Sequence, residues 1–174
     1  QNVGRASGLL KAVAGDGGAW NIIGTVVASD DASLTITGLD STYDTFAIAF
    51  SDFQAASDGI EVDFRLGDSS GVDSGASDYS WMGVGHEVVS TTYASNGECD
   101  NLDAQIKLVH DAGGNHNKVG QTSAGEGWGG LIYLHRPGDG AMYPMITGQI
   151  IWGSTTSIQL TSHRVVGQRR AVIA

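Results

Sequence analysis

The chain has 174 residues and a mass of 18.0 kDa, a length that predicts one domain with at most a short arm. Its Lys and Arg residues total 9 against 19 Asp and Glu, and the resulting formal charge of −10 makes nucleic acid and anionic membrane surfaces poor partners. Apolar runs fall short of the roughly 18–20 residues of a transmembrane helix, so we expect no membrane insertion. The single cysteine, Cys99, excludes an intrachain disulfide.

Residues 1–19 differ in composition from the rest of the chain. They are rich in glycine and carry one apolar cluster, formed by Leu9, Leu10 and Val13. We interpret this segment as an N-terminal arm whose cluster docks on a neighbouring subunit during assembly; a frayed terminus is the alternative. Residues 20–174 form the predicted domain, and the apolar run 171–174, which ends without a turn residue or charge, leads us to expect a further strand beyond it.

The domain is predicted to be all-β. Val (14) and Ile (12) outnumber Leu (10), and short apolar runs are separated by Gly, Asp, Ser and Asn at intervals typical of strands and turns. The clearest alternation is at residues 60–66, where Ile60, Val62, Phe64 and Leu66 share one face. The predicted strands are 22–28, 34–36, 45–50, 60–66, 81–89, 105–110, 131–135, 142–152 and 157–165, and the predicted loops are 67–80, 96–103, 111–127 and 136–140.

About nine antiparallel strands cannot bury their apolar faces in a single layer. We therefore predict a two-sheet antiparallel sandwich, jelly-roll-like because several connections are too long for simple hairpins; a closed barrel is the second choice.

The residues that could carry catalysis do not form a known pattern. The five histidines lack a metal-binding spacing, and Glu61 and Asp63 lie on the exposed face of one strand without a second carboxylate pair. Asp68, Asp73 and Asp78 could offer oxygen ligands to calcium, but their spacing differs from an EF-hand loop and favours a solvated acidic loop. We predict that the chain is not an enzyme and binds no metal or cofactor.

Four aromatic residues next to predicted loops are the candidate ligand-binding residues. They are Tyr79, Trp81, Tyr93 and Trp128. Aromatic rings exposed on a β-sandwich can stack on sugar rings, which makes a carbohydrate the candidate ligand. The alternative is that Trp81 and Trp128 cap the ends of the core.

Several phrases of the sequence resemble a family of tailed-bacteriophage virion structural proteins, described as tail-fibre, head-fibre or decoration proteins. The phrases are VASDDASLTITGLDSTYDTF at 27–46, AIAF at 47–50, SDGIEVDFRL at 57–66, SDYSW at 77–81, GLIYL at 130–134 and GQRRA at 167–171. The resemblance covers about residues 20–174. It implies a β-sandwich module present in many copies on a virion, commonly as a symmetric homo-oligomer, with no cofactor and no turnover.

The expected function is therefore that of a non-enzymatic structural component of a phage particle, such as an exposed fibre, knob or decoration module. Its expected partners are copies of itself, as a trimer, and other virion proteins. The alternative is a receptor-binding module that recognises a host-surface carbohydrate.

Overall fold

The computed structural model describes residues 20–57, 59–89, 92–109, 119, 126–153 and 160–171. These residues contain ten strands and no helix, so none of them belongs to a helix long and apolar enough to cross a bilayer. The strands are β1 (Thr45–Phe53), β2 (Val62–Phe64), β3 (Gly67–Asp68), β4 (Gly71–Val72), β5 (Tyr79–Val89), β6 (Thr92–Asp103), β7 (Ile106–Val109), β8 (Gly127–His135), β9 (Met145–Gly153) and β10 (Leu160–Arg169).

Six of these strands form one large antiparallel sheet in the order β1-β8-β9-β10-β5-β6. Strands β2 and β7 form a two-stranded antiparallel sheet, and β3 and β4 form a short hairpin. The prediction of an all-β, antiparallel chain is confirmed.

The core lies between the large sheet and the β2–β7 pair. Strand β10 shows the alternation most clearly, since its odd-numbered residues from Thr161 to Arg169 are buried and the positions between them are more accessible. Strand β7 is buried almost throughout and contacts β5 and β10. The buried apolar side chains of the core include Phe46, Tyr79, Trp81, Ile106, Leu108, Ile132, Leu134, Ile146, Ile150, Trp152 and Val165.

Most of the predicted strands correspond to observed ones, with shifted ends. The predicted strands at 45–50, 81–89, 105–110, 131–135, 142–152 and 157–165 match β1, β5, β7, β8, β9 and β10 over the described residues. The strand predicted at 60–66 is shorter than expected, because β2 covers only Val62–Phe64 and its pairing with β7 shifts register between Val62 and Asp63. Ile60 forms an isolated bridge with Val119 instead.

Two predicted strands and one predicted loop are wrong. Residues 22–28 and 34–36 are not strands, and the apolar residues Ile22, Ile23 and Val27 are exposed. The apolar residues of 22–28 come in adjacent pairs rather than in alternation, and no strand among the described residues pairs with either segment. Residues 96–103, predicted as a loop, belong to β6, and the predicted loop at 67–80 contains the β3–β4 hairpin. The arm residues Leu9, Leu10 and Val13, and residues 172–174, lie outside the described residues.

Candidate functional site

The side of the six-stranded sheet that points away from β2 and β7 is here called the outer face. The register of the strands defines its positions: Val166 of β10 lies between Thr147 of β9 and Met82 of β5, and Arg164 lies between Gln149 and Val84. Strand β6 continues the face through Cys99, Gly97, Ser95 and Tyr93, which lie opposite the outward residues of β5. Strand β8 continues it on the other side, with Leu131 and Tyr133.

Large apolar side chains are exposed across this outer face. Val84 is 45% exposed and Val166 is 43% exposed, although both occupy central strands of the sheet. The full set of exposed large apolar residues on the face is Met82, Val84, Val88, Tyr93, Met145, Ile151, Leu160 and Val166. The register places polar residues, including Gln149, Ser162, Arg164 and His86, among these apolar ones. Exposed apolar side chains concentrated on one face of a sheet nevertheless make that face a candidate interaction site.

The outer face also differs from the rest of the chain in charge. Outside the bulge that interrupts β1 between Phe50 and Phe53, none of its described strand positions is Asp or Glu, although the whole chain has 19 of them. Arg164 is the one position on this described face with a permanent charge. Polar residues on the face bond to one another, as where Gln149 Nε2 donates to Ser162 Oγ at 3.0 Å. The face is therefore nearly neutral on an acidic protein.

The segment that follows the predicted arm contacts one side of this face. The Trp20 ring lies over Tyr133 of β8, with ring centroids 6.2 Å apart, and Asn21 donates a hydrogen bond to the Tyr43 hydroxyl at 3.3 Å. Trp20 therefore occupies the β8 side of the outer face, and the exposed apolar residues extend from β9 to β6.

The four predicted aromatic ligand-binding residues are not brought together. Tyr79 is 0% exposed and Trp81 is 5% exposed, and both point to the inner side of β5. The Tyr79 hydroxyl donates to the carbonyl of Leu66 at 3.0 Å and accepts the Leu66 N–H at 2.8 Å, while Trp81 Nε1 donates to Asp103 Oδ2 at 2.8 Å. In this conformation neither ring offers a surface for stacking against a sugar.

Tyr93 and Trp128 lie on opposite sides of the large sheet. Tyr93 is 66% exposed on the outer face, and its ring stacks on His86 with centroids 5.4 Å apart. Trp128 is half-buried on the inner side, where it stacks on Phe53 at 4.7 Å and packs against Phe50. Glycan stacking by either residue stays a prediction.

A buried ion-pair cluster, which the sequence did not predict, holds the β3–β4 hairpin against β10. The Arg169 side chain is buried and pairs with Asp68 at 3.2 Å and with Asp73. Burial alone lowers the pKa of the Arg169 guanidinium, but hydrogen bonds and charge attraction from Asp73 and Asp68 outweigh that effect and raise it. Hydrogen bonds from Ser70, followed by Arg169, lower the pKa of Asp68. Asp78, the third of the carboxylates considered as calcium ligands, accepts the N–H of Gly75 at 2.6 Å. Asp68, Asp73 and Asp78 therefore all have protein partners.

A shallow cleft of about 340 Å³ lies next to this cluster. Its walls are mainly backbone and small side chains from residues 38–41 and 67–69, together with Gly138, and Asp40 and Asp68 are its ionisable residues. Both carboxylates already accept hydrogen bonds from neighbouring residues of their own loops. Within the described part of the chain, no group of three or more His, Cys, Asp or Glu side chains is placed to hold a metal ion.

No protein-family model, curated protein or solved structure matches this chain. The resemblance to phage structural proteins thus rests on the sequence phrases, and the geometry of the outer face is the independent observation available for a proposal of function.

Proposed function

We propose that the chain is a non-enzymatic structural component of a bacteriophage particle, an exposed fibre, knob or decoration module on the virion surface. The observation that carries the proposal is the outer face, which exposes large apolar side chains and, outside the β1 bulge, has no carboxylate in its described strand positions on a chain of formal charge −10. Such a face suits a module that is covered by protein in an assembly. The sequence phrases supply the phage context.

The assembly we propose is a symmetric homo-oligomer, a trimer, that also contacts other virion proteins. Closed symmetry allows many identical copies to bury the same apolar surface without forming open fibres. For the complete chain we keep the proposal of a jelly-roll-like sandwich; the packing of β2 and β7 on the inner side of the large sheet supports a second layer.

The best-connected charged groups in the described residues support a structural role. Arg169 pairs with both Asp68 and Asp73, and the Tyr79 hydroxyl hydrogen-bonds to the backbone of Leu66 and Asp73. Groups engaged in this way hold the β3–β4 hairpin and the Leu66 backbone in place. We therefore propose no turnover, no cofactor and no bound metal.

Quantitative mass spectrometry of purified particles tests this function. Particles of the phage that encodes the chain are expected to contain it in a fixed, repeated copy number relative to the major capsid protein. An antibody to the chain should label one defined part of intact particles. Presence of the chain in infected cells but absence from purified particles would contradict the proposal.

The second candidate function is receptor binding to a host-surface glycan, and the exposed ring of Tyr93 beside His86 is the observation that favours it. A glycan array probed with the wild-type chain separates the two functions. Carbohydrate recognition predicts binding that Tyr93→Ala abolishes and that Tyr143→Ala, a change at another exposed tyrosine, leaves intact. A purely structural module predicts no bound glycan for any of the three proteins.

A further inference from the structure

We propose that the outer face is the surface on which copies of this chain pack against one another, with a second copy covering the exposed side of β9, β10, β5 and β6. This inference rests on the proposed function, because it names the partner and the surface for the assembly that the function requires. The contact would be centred on Val166 and Val84, which lie on the neighbouring strands β10 and β5 and are both exposed.

The distribution of charge identifies the partner as a second copy. Two chains that each carry a formal charge of −10 repel one another, and contacts between surfaces rich in Asp and Glu add to that repulsion. The outer face avoids the problem, since its described positions on β9, β10, β5 and β6 include no carboxylate and one permanent charge, Arg164. A basic partner would find no acidic groups to recognise on this face. The outer face of one copy can pack against a second copy without bringing carboxylates of both copies together. In a trimer it meets a different surface of that copy, because the contacts of a three-fold ring are heterologous.

Arg164 does not prevent such packing. It is exposed and lies between Gln149 and Val84, and a long arginine side chain can lay its methylene groups on apolar surface while its guanidinium reaches the rim. The neighbouring side chains of Gln149 and Ser162 already form a hydrogen bond with each other. This hydrogen bond lowers the desolvation cost of Gln149 and Ser162 when a second sheet packs on the face.

The size of the face is sufficient for a stable contact. Four strands at a spacing of about 4.8 Å, each about nine residues long at about 3.3 Å per residue, cover roughly 570 Å² in projection. This face and an equal area on the copy that covers it together exceed about 1,000 Å², the area that a specific interface should reach. Exposed Ile151 and Leu160 extend the apolar surface toward one end of the sheet, and Met82 and Met145 extend it toward the other.

Sedimentation of the full chain over a range of concentrations tests the inference. The wild-type chain should form a discrete oligomer. The double variant Val84→Asp with Val166→Asp places carboxylates in the centre of the face and should raise the dissociation constant by at least about a hundredfold, or about 2.8 kcal/mol. The matched control is Val72→Asp, because Val72 is 58% exposed and lies on β4, away from the outer face. It should assemble as the wild type does.

The outcomes are distinct. Circular dichroism and a thermal melt establish that each variant is folded. A folded double variant that remains assembled overturns the inference. A wild-type chain that stays monomeric at high concentration also overturns it, whether residues 1–19 of the same chain or another protein then covers the face. If the chain is monomeric in solution and on the particle but present there in fixed copy number, the inference fails and the proposed function stands. If the chain assembles through this face but is absent from particles, the inference stands and the proposed function fails.

Discussion

Gly167 of β10 lies directly beneath Ile106 of β7. A Cβ added at position 167 would lie 2.6 Å from Cδ1 of Ile106 and 2.8 Å from its Cγ2. Ile106 is fully buried, so its side chain has no solvent-exposed space into which it could move. The glycine therefore sets how closely the β2–β7 pair approaches the large sheet.

Substitution Gly167→Ala is expected to lower the free energy of unfolding by about 1–3 kcal/mol, because overpacking a filled core forces side chains and backbone to shift. Urea denaturation measures this change. Gly140→Ala is the control, since a Cβ there meets no atom within 4 Å. In the Gly167→Ala background, Ile106→Ala should cost less than it does in the wild type, because it removes the clash as well as the contact. Equal costs would show that the two residues do not interact.

The Arg169 cluster gives a second stability prediction. Arg169→Gln leaves Asp68 and Asp73 without their buried cation, so we expect a loss of about 2–4 kcal/mol in the free energy of unfolding. The comparison is Arg136→Gln, which breaks the more exposed pair with Asp139 at 3.3 Å and should cost less than about 1 kcal/mol. Similar losses from both variants would contradict a structural role for the buried cluster.

The hydroxyl of Tyr79 is the next test of how the β3 region is held. Tyr79→Phe keeps the ring in the core but removes the partner of the Leu66 N–H and carbonyl, and should lower the free energy of unfolding by about 1–3 kcal/mol. Tyr143→Phe, at an exposed tyrosine, should be nearly neutral. Chemical denaturation of the two variants compares them, and a neutral Tyr79→Phe would show that water replaces the hydroxyl.

The same hydroxyl predicts a dependence of stability on alkaline pH. Burial raises the pKa of Tyr79 from its ordinary value of 10.0 to about 12. The folded state thus retains a proton that the unfolded state loses, so this stabilisation is complete below pH 10 and disappears as the pH rises toward 12. A difference of about two pKa units corresponds to about 2.7 kcal/mol. Unfolding free energies measured across this window should fall more steeply for the wild type than for Tyr79→Phe; parallel curves would contradict the assignment.

Assembly through a neutral face predicts an unusual response to salt. Copies with a formal charge of −10 repel one another at a distance, and the Debye length shortens to about 10 Å at about 0.1 M salt. Moderate salt should therefore strengthen association measured by sedimentation. Weaker association with added salt would indicate that ion pairs, rather than apolar contacts, join the copies.

The sequence alone predicted the parts of the fold that depend on local pattern. The alternation of Phe46 and Ile48 with small or polar residues predicted β1, and the β-prone run after Trp81 predicted most of β5. Strand β6 was missed because its sequence, TYASNGECDNLD, is polar and contains residues typical of turns. It is a strand because its backbone pairs with the backbone of β5, the strand before it in the chain. The composition of a segment does not record such a pairing.

The candidate surface and the buried cluster both depend on distant pairings. In β10 the apolar residues Val165 and Val166 are adjacent, so the sequence does not show which one faces the core. The register with β5 and β9 settles that Val166 points outward. Arg169 and Asp68 are 101 residues apart in the chain, and no local pattern relates them. The predicted solvated loop at Asp68 and Asp73 is mostly exposed, but the sequence did not show that Arg169 pairs with both carboxylates.

The central claim, that a second copy covers the outer face, is tested most directly by thiol labelling. The Cys99→Ser chain carries one new cysteine, at Val166→Cys on the outer face or at Val72→Cys as the control. A thiol reagent is applied below and above the concentration at which the chain assembles. We predict that assembly slows labelling at position 166 severalfold and leaves the rate at position 72 unchanged. Equal rates at position 166 in the separated and assembled chains would contradict the claim.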